Sequence, residues 1–115
     1  MTAIVTYAVA LFAIGGLCGL ASFAVALVRQ PSPSASWTSG FAQAFLTYFV
    51  ARWFFGWMEV PFQWFSYLVC MVAPVFNDGQ RLAKWRGTPA YRLEESHAAG
   101  MGIGMAAGLA YHFLA

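Results

Sequence analysis

The sequence predicts an all-α integral membrane protein, a single domain of hydrophobic helices. Three observations carry this. The chain has 115 residues, 61% of them hydrophobic and only 9% charged, against about 45–50% and about 25% in an average soluble domain. A soluble chain of this length cannot bury so much apolar side chain, because small globules hide little more than about 60% of the surface they expose when unfolded. The apolar residues also fall in long uncharged runs. Eighteen per cent of the chain is aromatic, and rings at that density suit the membrane–water boundary.

The first run extends from Thr2 to Val28 without a charge. As a helix over 3–28 it reaches about 40 Å, more than the ~30 Å hydrocarbon core requires. Ala24-Val25-Ala26 has the form of a leader cleavage site. No Lys or Arg precedes the run, however, and the run exceeds a leader's apolar core, so a spanning helix is expected.

Residues 29–37 read RQPSPSASW, a loop by its prolines and serines. Thr38 or Ser39 is then placed to cap the next helix. That helix, over 38–76, is too long for one straight crossing, and it contains Arg52, Glu59 and Pro61. Arg52, Gly56, Glu59, Gln63, Ser66 and Cys70 follow one another by steps of four and three, one narrow face of a continuous helix. This register predicts a single long helix kinked or broken near Pro61, and so three transmembrane helices in all. The alternative is a turn at Glu59-Pro61 and four crossings. Basic residues prefer the cytoplasmic side, and four crossings would put Arg29, Arg81, Lys84, Arg86 and Arg92 there together. The charge rule therefore leans toward four, the polar stripe toward three.

Asn77-Asp78-Gly79 carries helix-stop chemistry and opens a polar segment over 77–97. The last helix is expected over 98–115, starting as early as 89, with Thr88-Pro89 as cap and first position. Gly100, Gly104 and Gly108 recur every fourth residue, and His112 continues the row. Such rows let membrane helices approach closely, either within the chain, the first helix on the last, or against a partner. The run Ala99-Gly100-Met101-Gly102-Ile103-Gly104 resembles, locally, the glycine-rich first helix of proton-translocating ATP synthase ring subunits. This chain lacks that family's membrane carboxylate on a partner helix, and the resemblance implies tight helix packing only.

The residues expected to mediate interaction are Arg52, Gly56, Glu59, Gln63, Gly100, Gly104, Gly108 and His112. A charge within the bilayer needs protein, water or a counter-charge beside it. Arg52 and Glu59 meet that demand either on such a face or at headgroup depth beside Trp57. His97 and His112 are separated by about 22 Å on one helix, too far to ligate one haem together. Cys18 and Cys70 lie in apolar runs without metal-ligand or redox spacing, so no cofactor or metal is expected. A net charge of +2 gives no basic stripe for nucleic acid. No hydrolase, metalloprotease or phosphate-loop motif is present.

These features predict an accessory or structural subunit of a larger membrane complex, multi-pass in the inner or plasma membrane. Its partners would be lipid, other membrane subunits or its own copies. The alternatives are a self-assembling, holin-like pore or small transporter, and a haem- or quinone-binding anchor.

Overall fold

The computed structural model describes residues 2–27 and 31–114, in which no strand occurs. The all-α expectation is met. Five helices follow in order: α1 (Thr2–Leu27), α2 (Pro33–Trp57), α3 (Trp64–Cys70), α4 (Val72–Lys84) and α5 (Ala90–Leu114). Val28, Arg29, Gln30 and Ala115 lie outside the described residues, and with them the ends of the expected 3–28 and 98–115 helices.

α2 starts earlier than Thr38. Ser32 is its N-cap, with Oγ accepting from the Ala35 N–H at 3.2 Å, and Pro33 follows inside the first turn. A proline there loses no helical hydrogen bond, because that N–H has no partner in any helix. Proline and serine, read as loop, thus form a helix start.

The long kinked middle helix does not form. α2 stops at Trp57 and the chain reverses through Met58–Gln63, with Glu59 at φ 58°. The Val60 N–H closes the turn on the Phe55 carbonyl at 2.9 Å. Phe62 then folds back onto Phe55 and Tyr48, with ring centroids 5.2 and 5.5 Å apart. Pro61 explains part of this, since it cannot donate to the ladder and disfavours helix in the residue before it. The returning limb is α3 and α4 end to end, interrupted at Met71. Pro74 accounts for the interruption, because it lacks the N–H that would bond the Cys70 carbonyl. Asn77-Asp78-Gly79 does not stop this limb. It continues to Lys84, and the turn falls at Gly87, whose φ of 80° suits glycine.

The result is an up-down-up-down bundle of four limbs. α1 runs beside α3–α4 in the same direction, as the Tyr7–Ser66 and Gly19–Ala73 contacts show. α5 runs parallel to α2, with Gly100 level with Trp37, and Tyr48 with His112. The glycine row of α5 packs on α2 and Tyr67, not on α1. Cβ atoms at Gly100 and Gly40 would collide with the carbonyls of Trp37 and His97, and one at Gly104 would lie 2.6 Å from the Phe41 oxygen.

The interior is built from small and polar residues with a few rings: Ala10, Ala44, Ala51, Ser22, Ser36, Ser66, Tyr48 and Tyr67 are buried. The exterior carries the large apolar side chains, including Phe12 at 84% exposure, Trp57 at 69% and Phe76 at 63%. One described helix, over Ala3–Val25, is by itself long and apolar enough to cross a membrane.

Candidate functional site

Near the end of the bundle that holds the α4–α5 loop, four ionisable side chains meet between α4 and α5. Asp78 and Arg81 are one helical turn apart on α4. Glu94 and His97 are one turn apart on α5. The limbs are antiparallel, so each pair faces the other. Arg81 Nη2 donates to Asp78 Oδ1 at 2.5 Å and to Glu94 Oε1 at 3.1 Å. His97 Nδ1 lies 2.8 Å from Asp78 Oδ2. An ionised carboxylate only accepts, so Nδ1 carries the proton and donates. Asp78 is thereby held on both oxygens, and both it and His97 are buried.

The burial is made by glycine. Gly40 lets α2 close on the backbone at His97, and Gly100 lets α5 close on Trp37. Ser36 secures the same level by donating to the Leu93 carbonyl at 2.6 Å. The Glu94 carboxyl is pushed above its ordinary value, first by burial and next by the Asp78 charge. These outweigh the opposing effects of Arg81 and His97. Two buried nitrogens of this cluster, Arg81 Nε and His97 Nε2, have no hydrogen-bond partner among the described residues.

Donor atoms of Asp78, Glu94 and His97 lie within 4.8 Å of one another, the arrangement of a small metal centre. The cation between the two carboxylates is the Arg81 guanidinium, however. Arginine already bridges the two carboxylates through charge-assisted hydrogen bonds, and a dication would have to displace Arg81 to enter.

Comparison with known proteins returns no match among family models, curated proteins or solved structures. The site is therefore read on its own chemistry.

The structure disperses the expected interaction face. Arg52, Gly56, Glu59 and Gln63 are exposed around the 58–63 turn, whereas Ser66 and Cys70 point into the core. The stripe needed one continuous helix, and the reversal destroys its register. The Arg52 guanidinium lies 5.9 Å from the Tyr111 ring centroid, and Gly56 faces open space. Gly100, Gly104 and Gly108 are buried against the rest of the chain. His112 is hydrogen-bonded through Nδ1 to the Tyr48 hydroxyl at 2.9 Å, within the chain. Asp78, Arg81 and Glu94 were not singled out by sequence. The available signal was the matching i,i+3 spacing of Asp78–Arg81 and Glu94–His97 on either side of a glycine-containing loop.

Proposed function

We propose that this chain is a four-crossing integral membrane protein serving as an accessory subunit of a larger membrane complex, docked through the outward face of α5. The observation that carries the reading is that α5 has two rows of small residues, and the bundle uses only one. Gly100, Gly104 and Gly108 are consumed inside. Ala99, Gly102, Ala106 and Ala110 face outward, and nothing lies within 4 Å of the position a Cβ would take at Gly102. In lipid, a flat row of this kind gains from the close approach of another helix.

The membrane reading rests on the distribution of charge and apolar surface over the assembled bundle. No Asp, Glu, Lys or Arg falls within 2–27, 33–51, 60–77 or 96–114. The nine charged side chains among the described residues therefore belong to the two ends. Large apolar side chains cover the exterior between them on every limb, the arrangement lipid demands and water opposes. Arg81, Lys84, Arg86 and Arg92 belong to one end, which the preference for basic cytoplasmic loops makes the inner one. The start of α1, the end of α5 and the 58–63 turn are then outside. The pore reading loses its motivation, because its polar stripe is dispersed.

The test is gentle extraction from the native membrane followed by native mass spectrometry. A complex with other proteins, lost on G102L/A106L while the helical circular dichroism is retained, is the expected result. A partner-free species insensitive to those substitutions would overturn the docking reading. Single cysteines placed at Gln63 and Gly87 should react with an impermeant reagent from opposite sides of the membrane. Reaction of both from one side excludes four crossings.

A further inference from the structure

A second feature of the inner end is a cleft between α1 and α4 of about 320 Å³, lined by Ser22, Phe23, Asn77, Gln80, Arg81 and Lys84. Its polar lining is rich in donors: a hydroxyl, two amides, a guanidinium and an ammonium. No carboxylate among the described residues lines it. Ser22 is fully buried, and its hydroxyl has no hydrogen-bond partner among the described residues. Arg81 Nε is likewise buried and unpartnered. Native proteins seldom leave a buried polar atom unsatisfied without a function or a missing ligand. Two such atoms on residues lining one cleft, with a lysine at its mouth, make a site that lacks an acceptor.

We infer that this cleft binds a phosphate group through Ser22, Arg81 and Lys84, as the headgroup of an anionic phospholipid or as free phosphate. A phosphate supplies several strong acceptor oxygens, which matches a lining of donors. The guanidinium is already oriented, because Asp78 and Glu94 both hold it through Nη2. Those carboxylates offset its charge, which leaves Lys84, over the Trp85 ring and without a carboxylate partner among the described residues, to supply the cation. Ser22 sits about 8 Å from the end of α1 at helical rise, a depth that suits a headgroup phosphate. Phe23 and Leu20, both well exposed on α1, offer an apolar path beside it for an acyl chain. The lipid form of this inference rests on the membrane reading above; the anion chemistry of the cleft does not.

The experiment is thermal unfolding of the whole chain in an uncharged detergent. It is titrated separately with inorganic phosphate, short-chain phosphatidic acid and short-chain phosphatidylcholine. The expected result is a saturable rise in Tm with phosphatidic acid and little with phosphatidylcholine. The apparent affinity should fall by about tenfold or more in S22A/K84Q, as loss of charged hydrogen bonds implies, and K84R should retain it. Lys84→Gln alone, at an exposed position, serves if the double variant folds poorly. An equal rise with inorganic phosphate identifies free phosphate as the ligand. No rise with either anion, or a rise indifferent to these substitutions, overturns the site. Alkaline extraction of membranes separates the two proposals. A chain that stays in the pellet but ignores phosphate keeps the membrane reading and loses the cleft, and a chain released by alkali that still responds does the reverse.

Discussion

Gly100 lies so close to Trp37 that a Cβ on the glycine would overlap the tryptophan's carbonyl oxygen. The obstacle is backbone on a neighbouring helix, so no rotamer change relieves it. Gly40 stands in the same relation to His97 from the other helix, and the two close approaches interlock α2 with α5.

Gly100→Ala and Gly40→Ala should therefore each destabilise the bundle by more than an ordinary core overpacking, about 1–3 kcal/mol. Gly102→Ala on the outward face should do the opposite. Its Cβ meets nothing, and alanine is favoured over glycine within a helix by about 0.8–1 kcal/mol. Thermal unfolding of the three variants in detergent checks the contrast, and equal losses at Gly100 and Gly102 would refute the packing.

Arg81 joins α4 to α5 electrostatically. Its side chain is largely buried and bridges Asp78 and Glu94. Arg81→Met keeps much of the volume but leaves two buried carboxylates without their cation. The expected loss is about 3–5 kcal/mol, the usual result of removing one partner of a buried pair. Restoring neutrality with Asp78→Asn and Glu94→Gln in the same chain should recover part of it. Denaturation of the single and triple variants measures the coupling.

Glu94 sets a pH dependence. Its folded carboxyl is raised above the ordinary value of 4.5, so the folded state binds its proton more tightly than the unfolded chain does. Stability from this group is present at low pH and is lost as pH rises from the unfolded value through the raised folded one. Glu94→Gln mimics the protonated form. It should flatten the slope of stability against pH in that window and leave the variant no less stable at neutral pH. A slope unchanged by the substitution would assign the pH dependence elsewhere.

Glu59 occupies the left-handed region at φ 58° and is exposed, in a turn where no other residue has a positive φ. A side chain there costs about 1–2 kcal/mol that glycine avoids. Glu59→Gly should raise Tm, and Glu59→Val, β-branched, should lower it. If Glu59→Gly instead destabilises, the carboxylate itself makes a stabilising interaction at this end of the bundle.

Much of the fold was legible in the residues. The uncharged runs located α1 and the apolar half of α5, and the four-residue spacing of Gly100, Gly104 and Gly108 identified a close helix contact. Turn chemistry was harder to read. Ser32-Pro33 looks like loop in composition yet starts a helix, because serine and proline are favoured both in turns and at helix N-termini. Asn77-Asp78-Gly79 looks like a stop, but Asp78 is held on both oxygens by Arg81 and His97, and α4 continues past it.

The sequence by itself determined helical structure, an unusually apolar composition and the rows along which helices approach. Those properties follow from side-chain type and from the 3.6-residue period, which are local. Only the tertiary structure decided that the chain reverses at Met58–Gln63, that the glycine row receives α2 rather than α1, and that Asp78, Arg81, Glu94 and His97 form one cluster. The physical reason is the same in each case. A glycine specifies that something comes close without specifying what, and an i,i+3 charge pair is a solvated surface feature until an antiparallel neighbour brings a second pair against it.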